Sequence, residues 1–224
     1  MRPALQFLTI LPVPAPNVAP GTGAVWYPVV GALIGLLAAL VARSPMGATL
    51  AIVAVVLVTG GLHEDGLADI CDAVRAGRTR ERMLEILKDS RVGAYGATAI
   101  VLSILVRWQA MSKLSDPGLW WKFVLAFAAS RAAMVVLAAT TPAVAPGLGE
   151  SFRTSLPRYA APAVVLQVGM AGIAISAWPA LLAAAVSVLL VRAWLMQRLG
   201  GISGDCLGFQ CQVTEAAVLM ALAW

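Results

Sequence analysis

Seven apolar stretches, near 27–43, 46–62, 94–111, 120–140, 160–177, 179–197 and 213–224, constrain this chain more than any other feature. A membrane-spanning helix needs about 20 predominantly apolar residues. Stretches of this length and spacing predict an all-α fold: a polytopic membrane helix bundle with about six or seven transmembrane helices, forming one integral-membrane domain over residues 1–224. The last stretch ends at Trp224 and reads as a partial span. Composition supports lipid as the solvent. Only 12% of the residues are charged and 60% are hydrophobic, whereas soluble domains carry about 25% charged residues. The net charge of +5 is spread over the polar connections. Nucleic acid is therefore not an expected partner, while membrane lipid is. Cys71, Cys206 and Cys211 form no CxxC pair, which suits reduced thiols. The sequence leaves the oligomeric state open, a homo-oligomer included.

Charge is concentrated in one place. Seven of the eleven acidic residues fall between Glu64 and Asp89, and the same interval, extended to Arg91, holds Arg75, Arg78, Arg80, Arg82, Lys88 and Arg91. Six basic residues favour the cytoplasmic side. Alternating spans then place the N-terminus, 63–92, 141–160 and 198–212 together on that face, leaving mainly Arg43, Lys113 and Lys122 opposite. The expected location is the cytoplasmic (inner) membrane of a bacterium, multi-pass, with the motif segment 63–92 facing the cytoplasm. Arg131 lies mid-way along an apolar stretch. An ionised residue there costs at least about 2.5 kcal/mol on insertion scales, so it needs a partner or a wet cavity. A salt bridge and a substrate phosphate both meet that need.

Within the charged segment, Asp65, Asp69 and Asp72 are spaced i, i+4, i+7, which stacks them on one face of a helix. Unpaired like charges at this spacing destabilise a helix. Either a cation or the nearby Arg75, Arg78 and Arg82 must compensate. Carboxylate oxygens are hard ligands suited to Mg²⁺, Mn²⁺ or Ca²⁺, and Mg²⁺ commonly shares its shell with substrate phosphates. Gly66 leaves room for a ligand between the first two aspartates. His63, the sole histidine, suits a general base, a phosphate donor or a helix-end structural role. Thr79 to Leu87 reads as a short amphipathic helix at the interface. The following Lys88-Asp89-Ser90-Arg91 leads into Gly93 and Gly96. Lys88 and Arg91 can neutralise phosphate oxygens, and Asp89 can complete a metal site or orient Arg91. Gly200 to Gly208 reads as a glycine-rich loop carrying Asp205, with Gln212 and Glu215 beyond it.

These residues together resemble the cobalamin synthase family, the adenosylcobinamide-GDP ribazoletransferases. The likeness rests on Gly61-Leu62-His63-Glu64-Asp65-Gly66-Leu67-Ala68-Asp69, on Asp72, and on Lys88 to Gly96. It extends to Leu5–Thr9, Leu11–Pro14, Tyr27–Gly31, Ser130-Arg131, Gly147–Gly149 and Gly204–Gly208. Departures occur at Ile70, Cys71 and Ala73, and the C-terminus is short. The resemblance implies a Mg²⁺-dependent membrane enzyme. It would transfer the adenosylcobinamide phosphate moiety from adenosylcobinamide-GDP to α-ribazole, or its 5′-phosphate, and release GMP. On that basis Asp65, Asp69, Asp72 and Asp89 are expected to hold Mg²⁺, with His63, Asp65 and Asp69 catalytic. Lys88, Ser90, Arg91, Gly93, Gly96, Arg131 and Asp205 are expected to contact substrate. Two rival readings fit less well. A CDP-alcohol phosphotransferase continues its motif with Ala-Arg and later aspartates, whereas Ala68 is followed by Asp69. A cation or corrinoid transporter would string acids through several spans.

Overall fold

The computed structural model describes residues 1–14, 18–89, 91–114 and 116–224. Among these residues the chain forms α-helices and short 3₁₀ turns, and the β-pairing is a single isolated bridge between Ala143 and Ile202. Eleven α-helices follow in order: α1 Arg2–Leu8, α2 Tyr27–Val41, α3 Gly47–Thr59, α4 Leu62–Ala76, α5 Arg80–Ile86, α6 Ala94–Lys113, α7 Trp120–Thr140, α8 Leu148–Thr154, α9 Ala160–Ala174, α10 Trp178–Arg198 and α11 Gly204–Ala223. Among the described residues five segments are long and apolar enough to cross a membrane: Pro20–Val41, Ala94–Lys113, Pro117–Thr140, Trp178–Arg198 and Gly204–Ala223. A sixth crossing results if α3 and α4, bent by 88°, are one broken span. At 1.5 Å per residue, α9 is about 22 Å long and falls short of the ~30 Å hydrocarbon core.

Two expectations change here. The last helix begins at Gly204, so it is a 20-residue candidate span, and Asp205 lies in its first turn instead of a loop. Residues 63–92 are also not one surface segment. Gly60 and Gly61 both adopt left-handed backbone, with φ of 64° and 70°, a conformation that glycine takes without steric cost. This paired turn redirects the chain, and α4 enters the bundle against α6 and α11. The amphipathic helix is present as α5. The Thr79 hydroxyl caps it by accepting from the Arg82 amide at 3.3 Å, and Met83 is its buried anchor.

The ends of the bundle sort as the alternation predicts. At one end Phe7, Tyr27 and Phe152 form an aromatic cluster with ring centroids 5.5–5.9 Å apart. At the same end the Ile202 amide donates to the Pro142 carbonyl at 2.9 Å, and Arg198 donates to the Val74 carbonyl at 3.1 Å. At the other end Lys113 lies over the Trp224 ring, and Lys122 donates to the Leu222 carbonyl at 2.6 Å. That last contact places a cation on the carbonyl-rich end of α11, where it is favoured.

Two devices hold the interior together. The first is close backbone approach. A Cβ on Gly31 would fall on the Phe127 carbonyl oxygen, and one on Gly35 would lie 2.6 Å from the Phe123 oxygen. Small residues four apart let α2 seat directly on α7, as dispersion-driven membrane packing requires. The second is a buried charge network at mid-helix depth. Arg107 of α6 donates to Glu64 of α4 at 3.0 Å and to Glu215 of α11 at 3.1 Å. Arg131 of α7 pairs with the other oxygen of Glu215 and donates to the Ser130 hydroxyl at 2.9 Å. Gln212 donates to Glu64 at 3.1 Å and accepts from Ser103 at 3.1 Å. Two arginines and two glutamates cancel in charge, which makes their burial tolerable. Of the two partners that Arg131 could meet, this geometry provides the salt bridge. Its side chain is fully enclosed and committed to Glu215.

Gly31→Leu should separate α2 from α7 and lower the melting temperature in detergent by several degrees, whereas Leu33→Ala on the exposed face should have little effect. Glu215→Leu leaves two buried guanidinium groups short of charge. It should destabilise by about 3–5 kcal/mol, the usual cost of breaking a buried pair, measured by thermal or denaturant unfolding against the surface change Glu85→Leu.

Candidate active site

The site grows from the crossing of α4 and α11. A Cβ on Gly66 would lie 2.7 Å from the Asp205 carbonyl oxygen, and one on Gly208 would lie 3.3 Å from the His63 carbonyl oxygen. The two glycines therefore let the helix backbones touch. Gly66 does not open space for a ligand, as its position between aspartates suggested; α11 fills that space. The close crossing brings Asp205 to the acidic face of α4. Asp69 feels the negative charges of Asp65, Asp205 and Asp72. Asp65 is exposed, while Asp69 and Asp205 are half-buried.

Asp72 has a different task from the one expected. Its Oδ2 accepts from the Gly93 amide at 2.7 Å and its Oδ1 from the Gly96 amide at 2.9 Å. A carboxylate on the otherwise unsatisfied amides at the start of α6 acts as a cap supplied from another helix. The two glycines are explained by the same contact. A Cβ on Gly93 would lie 2.5 Å from Asp72 Oδ1, and one on Gly96 would lie 2.9 Å from the Ala68 oxygen. Asp72, expected as a metal ligand, and Gly93 and Gly96, expected as substrate contacts, thus meet one another at a helix junction. Asp89 accepts from the Arg91 backbone amide at 3.1 Å and from its guanidinium at 2.6–3.1 Å. Those hydrogen bonds hold its carboxyl down to about 2. Asp89 therefore orients Arg91 instead of joining the other aspartates. The Arg91 side chain remains 87% exposed. Lys88 is exposed too, and Ser90 lies outside the described residues.

His63 is 1% exposed, and neither ring nitrogen has a hydrogen-bond partner among the described residues. It borders a cavity of about 40 Å³ shared with Asp65, Asp205, Leu148 and Leu207. A larger cleft, about 640 Å³, opens on the other side of Asp65 and is lined by Thr9, Thr59, Gly60, Glu64, Ala68 and Val92, among others. The exposed aspartate thus stands at the wall of a cleft roomy enough for a substantial ligand.

No group of three His, Cys, Asp or Glu side chains among the described residues is close enough to form a metal cage. Mg²⁺ seldom uses an all-protein cage. It binds through one or two carboxylates and completes its shell with water and substrate phosphate. Asp65, Asp69 and Asp205 offer hard oxygens and uncompensated negative charge, so the residues present fit such an ion. Arg107, Glu64 and Glu215 are the site-supporting residues that sequence reasoning missed or placed elsewhere. The signal for Arg107 was the one used for Arg131: an ionised residue inside an apolar stretch.

The chain matches the cobalamin-5-phosphate synthase family over residues 1–223. It is 39% identical over 232 residues to an adenosylcobinamide-GDP ribazoletransferase of Pseudomonas putida (strain GB-1), covering 98% of this chain and 96% of the relative. A protein of the same name from Mesorhizobium japonicum is 39% identical, covering 96% of this chain and 89% of the relative. One from Bradyrhizobium diazoefficiens is 35% identical, covering 100% and 92%. No solved structure matches. Matched over nearly its full length, and carrying its motif aspartates at one helix crossing inside a membrane bundle, this chain belongs to the cobalamin-5-phosphate synthase family.

Proposed function

We propose that this chain transfers the adenosylcobinamide phosphate moiety of adenosylcobinamide-GDP to α-ribazole or α-ribazole 5′-phosphate. The products are adenosylcobalamin, or its 5′-phosphate, and GMP. One observation carries the reading. The acidic motif folds into a helix face, Asp65 and Asp69 joined by Asp205, with Asp65 on the wall of a 640 Å³ cleft. Such a face suits a cation-assisted phosphoryl transfer, which depends on positioning and charge neutralisation more than on covalent intermediates.

In this reading the acceptor hydroxyl attacks one phosphorus of the pyrophosphate. A new P–O bond forms, the bridging P–O bond breaks, and GMP leaves with the bond's electrons. Mg²⁺, held by one or two carboxylates of the Asp65, Asp69 and Asp205 face, would supply charge neutralisation on the pyrophosphate and the departing GMP. Arg91, oriented by Asp89, and Lys88 offer mobile cations for the remaining phosphate charge. The hydroxyl proton goes to an aspartate of this face. His63 is enclosed, so it supports the α4–α11 crossing in preference to touching the acceptor. Arg75, Arg78, Arg80, Arg82, Lys88 and Arg91 lie in the segment that ends at the site, which supports a cytoplasm-facing active site in a bacterial inner membrane.

Purified protein given adenosylcobinamide-GDP, α-ribazole and Mg²⁺ should release GMP and form a cobalamin product; Asp65→Asn and Asp69→Asn should each cut the rate at least a hundredfold while still inserting normally. Release of GMP at the same rate after complete chelation of Mg²⁺, or near-normal rates in both variants, would overturn the site assignment. Independently of turnover, Mg²⁺ should raise the melting temperature of the substrate-free protein by relieving repulsion around Asp69. That rise should shrink markedly in Asp205→Asn.

A further inference from the structure

A second groove, of about 550 Å³, lies on the opposite flank of α6 from the acidic cleft. Tyr95 and Leu102 of α6 form one wall, and Trp194 of α10 with Phe209 of α11 forms the other. The two aromatic rings of that second wall are stacked, with centroids 5.4 Å apart. The mouth is marked by Arg75, at the last turn of α4, and Arg198, at the last turn of α10. Neither arginine forms an ion pair among the described residues, and no acidic side chain lines the groove.

The geometry points to a bound anionic phospholipid, its phosphate between Arg75 and Arg198 and an acyl chain along the wall of Leu102, Trp194 and Phe209. Three observations carry this. The arginines sit at the same end of the bundle, since Arg198 donates to the Val74 carbonyl beside Arg75 at 3.1 Å. That end is where the charged segment leaves the apolar helices. Leu102 lies eight residues down α6 from Ala94, about 12 Å along the helix, and is 57% exposed. The groove therefore starts at headgroup depth and runs into the hydrocarbon, which is the shape of a lipid and not of a free phosphate. Finally, the Arg75 guanidinium lies 5.7 Å over the Tyr95 ring. That contact holds a cation at the mouth without neutralising it. Basic pockets between membrane helices recognise anionic headgroups through the same combination of charge and apolar wall. The substrate of the proposed reaction is a poor alternative occupant, because α6 separates this groove from Asp65.

Seated there, the lipid would bridge α4, α6, α10 and α11, the helices that carry or brace the acidic face. The inference is independent of the reaction proposed above.

The test is native mass spectrometry of the full chain, delipidated in detergent and titrated with phosphatidylglycerol, phosphatidylcholine or inorganic phosphate. Phosphatidylglycerol should be retained about tenfold better than phosphatidylcholine. The double variant Arg75→Gln/Arg198→Gln should lose that preference. Thr98→Trp, which fills the groove from an exposed position and leaves both arginines intact, should also lose retained lipid; it stands as the test if the double variant does not fold. Equal retention of both lipids by the wild type, unchanged preference in either folded variant, or displacement of phosphatidylglycerol by millimolar phosphate would overturn the proposal.

Discussion

Glu64, Arg107, Glu215 and Arg131 are enclosed together where α4, α6, α7 and α11 meet. In a membrane bundle, apolar contacts between helices gain little over contacts with lipid. Polar pairing and close packing must then specify which helix faces which. An alternating set of two acids and two bases is demanding in that respect, because removing or rotating any one helix exposes an unpaired charge to a medium that cannot solvate it. Glu64 adds a further consequence. It sits one residue before Asp65, so the pairing that anchors α4 also fixes the direction in which the first aspartate points, toward the cleft.

The acidic face depends equally on what is missing from two side chains. Gly66 and Gly208 allow α4 and α11 to meet at backbone distance, and that contact draws Asp205 beside Asp65 and Asp69. Such a concentration of like charge opposes folding unless something offsets it. The compensation on α4 is divided. Asp72 is satisfied by the amides of Gly93 and Gly96, while Asp65 and Asp69 have no such backbone donors from a neighbouring helix among the described residues. A stripe of three aspartates that looks uniform along the helix is thus split into one member held by backbone amides and two that are not.

Some of this was legible in the chain itself. Charge-poor apolar stretches required a helical membrane bundle, since only helices and closed barrels satisfy the backbone in lipid. The distribution of basic residues grouped the right ends together. The 3.6-residue period put Asp65 and Asp69 on one face, and the same logic located Arg131 as a residue in need of a partner. The identities of partners were not legible. Arg131 finds Glu215, 84 positions away, and Arg107 finds Glu64, 43 positions away; local periodicity carries no information about contacts at that separation.

The sequence by itself therefore determined the solvent, the helical class and the family, because each follows from residue type and short-range spacing. Tertiary structure decided the rest. It sent α4 into the bundle through the Gly60-Gly61 turn, brought Asp205 to the acidic face, tied Asp72 to the start of α6, and paired Asp89 with Arg91. It also set Gly66, Gly93 and Gly96 at close approaches between helices. The physical reason is common to all of these changes. A carboxylate's role is set by which donors or charges lie within about 3 Å of it, and in this fold those groups come from other helices.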